Sequence, residues 1–496
     1  MRALAALLLT ASAAHADPLP RFDDVSARIP THVYTGGWEH FVGGGVAALD
    51  CSGNGLPDLV LAGGTSDALL LRNEGAMAFT PEPLPITGMT GAYPIDIDGD
   101  GQLDLFILRV GPNMVLRGLG DCAFEDATEA LGLDPGDAWS TAFTAWWAPG
   151  APRPTLFVGN YVDRNDPTGP FFACDDNQLL TPDGTGWRAT PLSPGFCPLS
   201  ALAARDARDR LTLRLSNDRH YYVRGGAEQM WDIAEQRFLG PEDGWGDWQL
   251  WGMGIASRDI TGNGLADVYL TSMADQMLQL AQPGGSYSVA PYAMGHTAHR
   301  PATGDDGRPS TGWHAQWGDV TNNGRADLFV AKGNVDQMPD LAMADPNTLL
   351  IQGQDGRFTE VSDRAGIADP ERSRGAALID LTGDGRLDLV VVNRRAPARL
   401  YRNVTEGTGN WLAVDLRQSG ANTFAIGSRV TVTTDQGAQW QEVSIGGGHA
   451  GGHLGPLHFG LGHASEAQLH VIWPDGQESH KIATSLNRRV TLMRED

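Results

Sequence analysis

A nine-residue pattern of oxygen-bearing side chains, closing on an aspartate, recurs five times, and each copy runs straight into an apolar strand. The fullest copy is Asp96 to Asp104 (DIDGDGQLD), followed by Leu-Phe-Ile-Leu. The others span Asp50 to Asp58, Asp259 to Asp267, Asp319 to Asp327 and Asp380 to Asp388. A supersecondary unit repeated along a chain cannot bury its apolar face alone, so the stacking of neighbours dictates the architecture. The interval from Asp104 to Asp259 has room for two further units. Thr141 to Gly159 and Ser200 to Leu215 keep strand, turn and strand but lose every ligand of the pattern.

Seven units therefore follow. Each reads as a strand before the acidic loop, a strand after it, a third such as Ala68 to Asn73, and a fourth opening on phenylalanine, as at Phe124 and Phe358. Four-stranded units at this period describe an all-β, seven-bladed β-propeller. The last unit, Arg374 to Val404, lacks a fourth strand, while an orphan Phe22-Asp-Asp-Val stands near the start. The N-terminal strand is expected to complete the last blade and hide two sheet edges.

The loops carry the clearest chemistry. Oxygens at positions 1, 3, 5 and 9 with a carbonyl at 7 suit a hard cation, and Ca²⁺, which takes six to eight oxygens in irregular geometry, fits better than Mg²⁺. The expected ligands are Asp50, Ser52, Asn54 and Asp58; Asp96, Asp98, Asp100 and Asp104; Asp259, Thr261, Asn263 and Asp267; Asp319, Thr321, Asn323 and Asp327; and Asp380, Thr382, Asp384 and Asp388. Glycine at position 6 of each copy suits a sharp turn. A metal-free Asx turn is the alternative, since Asp, Asn and Gly also dominate ordinary turns. Carboxylate count grades the five sites, with the Asp96 loop filling first. The net charge of −24 and the absence of basic runs exclude a nucleic-acid partner. Five divalent ions would cancel ten of those charges, so self-repulsion should weaken the metal-free form.

Met1 to Ala16 has a basic start, an apolar core and an Ala14-His15-Ala16 end, the pattern of a secretory signal cleaved after Ala16. No later segment has the ~18 apolar residues of a membrane span, so a periplasmic or secreted protein is expected. Its four cysteines should then form two disulfides. Strand alternation sorts the loops onto two faces. Cys51 and Cys122 fall on the acidic-loop face in adjacent blades, and Cys174 and Cys197 on the other, which favours these two pairings.

The residues now match a known pattern. The acidic loops resemble the FG-GAP or VCBS-type repeats of integrin-α propellers, which share the DxDxDGxxD spacing. Beyond residue 409, Asn410-Trp411, Ile426 to Val432, Gly446, Leu457-His458-Phe459-Gly460-Leu461-Gly462 and Trp473-Pro474-Asp475-Gly476 look like an ASPIC/UnbV domain, a small β-sandwich-like module. This order resembles the cartilage acidic protein family, in a bacterial-type form. It implies an extracytoplasmic calcium-binding protein and no particular reaction. The organisation expected is a signal at 1–16, a propeller at 17–405 and the second domain at 409–496. Within the latter, His449, His453 and His463 join His458 in a glycine-rich stretch that could offer imidazoles to zinc or copper. Its glycines predict a mobile backbone.

Long connections place Trp38, Glu39, His40, Trp245, Trp248, His296, His299, Arg300, Trp313 and His314 on the face opposite the acidic loops. Aromatic platforms beside polar groups on loops make this the expected ligand face, for a protein or glycan. The alternative is that the tryptophans plug the central channel. An enzyme would draw on the same face, with His40, His299 or His314 as base and Asp218 or Asp305 orienting it. Neither a GxSxG elbow, an HExxH motif, a P-loop nor a dinucleotide fingerprint is present. A non-catalytic binding protein is the better expectation.

Overall fold

The computed structural model describes residues 17–166, 173–218, 226–300, 307–336 and 338–494. The expected signal at 1–16 and Asp305 lie outside the described residues.

Between 22 and 403 the chain forms seven antiparallel four-stranded blades, six of four successive strands and the seventh of three successive strands closed by the N-terminal one. The first strands are Val46–Leu49, Met89–Ile95, Ser140–Trp146, Pro198–Arg205, Gly252–Arg258, Gly312–Gly318 and Ser373–Ile379. Each contacts the next, and the seventh returns to the first, so the sheets close into a ring around these inner strands. This is a seven-bladed β-propeller. Phe22–Asp24 completes blade 7, with Phe22 opposite Asn403 and Asp24 opposite Tyr401. The units without acidic loops form blades 3 and 4. Inner and second strands are covered on both sides by neighbouring blades, which is why they read as unbroken apolar runs such as Leu105 to Leu108. Between blades 2 and 3, Phe106 and Phe143 stack at 4.3 Å.

The C-terminal domain packs two sheets on one core. Asn410–Arg417 pairs antiparallel with Leu457–Gly462 and parallel with Arg488–Met493. Arg429–Thr434 lies between Gly437–Glu442 and Ala467–Ile472, with Glu478–Thr484 at the edge. Leu412, Val414, Val430, Phe459, Leu469 and Trp473 are buried between them.

The glycine-rich stretch is not a mobile loop. It enters the propeller channel, bridging Ala145 with Ile445, Leu202 with Gly446, Ile255 with Gly448 and Ala92 with Gly451. It leaves alongside blade 1, where Ala48 and Leu49 pair in parallel with His453 and Leu454. Glycine is required because the channel is narrow. A Cβ on Gly45 or on Gly91 would lie 1.7 Å from the Ala450 carbonyl oxygen. The other end of the channel is filled by Phe41, Val42, Trp139, Tyr161, Met253 and Trp313.

Candidate metal loops and the two propeller faces

The five acidic loops share one geometry. In each, the amide of the position-6 glycine donates to the position-1 carboxylate: Gly55 to Asp50, Gly101 to Asp96, Gly264 to Asp259, Gly324 to Asp319 and Gly385 to Asp380, at 2.7–3.0 Å. Those glycines have φ between 81° and 90°, where a side chain would be strained. The position-9 carboxylate is clamped between the amide of position 2 and an amide of the third strand. Asp104 accepts from Ile97 and Gly118, both at 2.8 Å, and Asp388 from Leu381 at 3.0 Å and Asn403 at 2.9 Å. Position 5 accepts from the amide of position 7, as Asn54 from Leu56 and Asp100 from Gln102. The backbone thus turns the side-chain oxygens toward one another.

That convergence is electrostatically costly without a cation. Burial, with neighbouring carboxylates adding to it, pushes Asp104 up to about 7. Burial likewise raises Asp267 and Asp319 to about 6, and holds Asp388 well above the carboxylate range. Asp96, Asp98 and Asp104 bring oxygens within 4.8 Å of one another. Asp50 Oδ1 and Thr321 Oγ1 are buried without a hydrogen-bond partner. An all-oxygen set with unsatisfied buried acceptors fits a hard divalent ion. Two loops carry an arginine on a carboxylate expected to be a ligand: Arg117 Nε donates to Asp98 at 2.8 Å, and Arg386 to Asp384 at 2.5 Å. Burial opposes ionisation of Asp384, but the Arg386 hydrogen bonds hold it below the usual range.

Every acidic loop also touches the C-terminal region, which the motif did not announce. Thr423 donates to Asp96, and Arg489 to the Gly55 carbonyl. Trp440 Nε1 donates to Asp259 at 3.2 Å, and His458 Nε2 lies 3.0 Å from the Gly385 carbonyl. Gly409 and Gly462 donate to the carbonyls of Thr321 and Asn322 at 2.9 and 2.8 Å. The C-terminal domain is therefore seated on the acidic-loop face.

The residues expected on the other face divide. Trp38 remains 39% exposed, Glu39 pairs with Arg164 at 2.6 Å, His299 is exposed and Arg300 pairs with Asp363 at 2.7 Å. Tyr292, 76% exposed, stands on a connection of the same kind and shields the buried His296, ring on ring at 6.3 Å. His40 and Trp245 are buried, Trp245 under the Arg214 guanidinium at 4.9 Å, with Trp248 packed beside it. Trp313 and His314 are not on a surface loop. They lie on the inner strand Gly312–Gly318, where Trp313 closes the channel beneath Arg374 at 4.0 Å and His314 Nδ1 accepts from the His449 amide at 3.1 Å. Asp218 accepts from Tyr161. His299 and His314 line different cavities, so among the described residues the expected catalytic grouping is not assembled.

Both disulfides form as expected, Cys51 with Cys122 and Cys174 with Cys197. No helix among the described residues is long and apolar enough to cross a membrane. The two disulfides fit an extracellular or secreted protein.

The family model described as FG-GAP-like repeat matches residues 50–107 and 334–391, and the one described as ASPIC and UnbV matches 418–496. The chain joins FG-GAP-like repeats to an ASPIC and UnbV domain. It is 30% identical over 125 residues to cartilage acidic protein 1 of Xenopus tropicalis, covering 24% of this chain and 19% of that one. It is 32% identical over 114 residues to cartilage acidic protein 1 of Mus musculus, covering 22% and 18%. The match thus spans less than a fifth of either relative. Among solved structures, BBS1N in complex with ARL6DN is similar with a TM-score of 0.46 and 12% identity, over 77% of this chain and 96% of that one.

Proposed function

We propose that this FG-GAP and ASPIC/UnbV protein is an exported, calcium-fastened, non-catalytic binding protein whose partner docks on the face opposite the acidic loops. One observation carries the reading. The C-terminal domain covers the acidic-loop face through contacts to all five loops, which directs a macromolecular partner to the other face. Calcium then belongs to the scaffold, holding blade loops and C-terminal domain in one arrangement. Trp38 and Tyr292, with the Glu39 and Arg164 pair and His299 beside them, supply the exposed aromatic and polar chemistry that a protein or glycan surface would meet.

The test is a pull-down from an extracytoplasmic extract with wild-type protein, the Trp38→Ala/Tyr292→Ala double variant, and wild type in chelator. Capture that is lost in both the variant and the chelator supports the reading. Capture unchanged by the double variant removes the proposed face, and capture unchanged by chelator removes the role of calcium.

A further inference from the structure

Between the propeller channel and the C-terminal domain lies a chamber of about 360 Å³, within the ~300–1,000 Å³ of small-molecule sites. Trp317, Trp411 and Trp440 stand in its wall, with the glycine-rich stretch along one side. Two polar side chains in that wall, Arg258 and His453, have no hydrogen-bond partner among the described residues.

Arg258 breaks the internal repeat. It occupies the position just before the acidic loop, where the other four metal-loop blades carry Leu49, Ile95, Gly318 and Ile379. Its electrostatic neighbours are Asp259, Asp319 and Asp327, but these carboxylates are engaged elsewhere. Asp259 accepts from Gly264 and Trp440, Asp319 from Gly324, and Asp327 from Val320 and Gln352. By contrast Arg205, at the same position of blade 4, donates to the Asp209 carbonyl at 2.9 Å. The half-buried guanidinium thus keeps its planar fork of donors without a hydrogen-bond acceptor, and that fork matches a carboxylate. The acidic side chains elsewhere in the wall, Asp50, Asp380 and Glu442, disfavour a second negative charge.

We propose that this chamber binds a small aromatic carboxylate, its acid group held by Arg258, its ring among the tryptophans, and His453 offering a second polar contact. This site is separate from the outer face proposed above, and either can fail without the other. The probe is 2-naphthoate, titrated into the full chain in calcium buffer by calorimetry and by quenching of tryptophan fluorescence, with the neutral 2-naphthylmethanol as its comparison. The expected result is saturable one-site binding of the acid, at least about tenfold tighter than the alcohol, as a charge-assisted contact to arginine implies. Arg258→Gln should reduce the acid to the affinity of the alcohol, and Arg258→Lys should retain part of the difference. Absence of saturable binding, equal affinity of acid and alcohol, or an unchanged acid affinity in a folded Arg258→Gln protein would overturn the proposal. Should Arg258→Gln fail to fold, the wild-type ratio of acid to alcohol decides.

Discussion

The hydroxyl of Thr423 donates to the carboxylate of Asp96, joining the C-terminal domain to the first residue of the most acidic loop across 327 positions of sequence. The same carboxylate accepts the loop's own amides from Gly99 at 2.8 Å and Gly101 at 3.0 Å. Whatever organises Asp96 therefore also organises the domain contact. Thr423→Val keeps the side-chain shape and removes the donor, and hydrogen bonds to charged groups are worth about 1.5–3 kcal/mol. We expect a loss of stability in that range, together with weaker calcium binding at the Asp96 loop. Denaturant unfolding and calorimetry, each with and without calcium, measure the two effects.

Calcium added to chelator-stripped protein should raise the thermal midpoint in a concentration-dependent way. A ligand at a hundredfold excess over its dissociation constant stabilises by about 2.7 kcal/mol per site. The loop with four carboxylates should fill first, so Asp98→Asn should abolish the tightest phase of the titration while leaving the weaker phases. Asp98 is chosen because its oxygens meet Arg117, whereas Asp104 is clamped by two backbone amides. No heat and no shift in midpoint at millimolar calcium would remove the metal reading.

The passage of the glycine-rich stretch makes a steric prediction. Gly91→Ala places a methyl group 1.7 Å from the Ala450 carbonyl oxygen, in backbone that cannot swing aside. Overpacking of this kind costs about 1–3 kcal/mol. Displacing the stretch relieves the clash, so the variant should release a C-terminal fragment beginning near residue 409 under limited proteolysis that the wild type does not. Equal resistance of the two proteins would show that the stretch can leave the channel without consequence.

His314 and His449 give the fold an acid limit. Gly43 N donates to His449 Nε2 at 3.3 Å and the other ring nitrogen lies 3.2 Å from the Met253 carbonyl, so the neutral imidazole is satisfied on both sides. Burial, with the Arg374 charge adding to it, pulls His449 down to about 3, and burial pulls His314 down to about 4. Both values lie below the 6.5 of an unfolded histidine. Their contribution is therefore complete above pH 6.5 and is lost as the pH falls toward 4 and then 3. The slope is at most about 1.4 kcal/mol per pH unit for each histidine. Urea midpoints measured across this interval should fall more steeply for wild type than for His449→Gln, and parallel curves would contradict the assignment.

The blades and the loops were legible because a repeat makes its own argument. Position 6 had to be glycine, blades 3 and 4 could be placed from their strands alone, and the orphan Phe22 located the closing strand. Cys51 and Cys122 followed from strand alternation. Trp313 and His314 did not, because Gly312–Gly318 interrupts its apolar pattern with polar residues that face the channel and its plug rather than solvent. The glycine-rich stretch misled for a related reason: glycine signals freedom when nothing surrounds it, and here it is packed among inner strands.

By itself the sequence determined the period, the number of blades, the ring closure and the oxygen-bearing positions of the loops, all of which depend on local backbone geometry and on contacts between neighbouring units. Only the tertiary structure decided that the C-terminal domain covers the acidic-loop face, that residues 445–454 thread the channel, and that Arg258 faces a chamber without a partner. Those outcomes depend on the width of a channel and the meeting of surfaces hundreds of residues apart, and no local pattern records either.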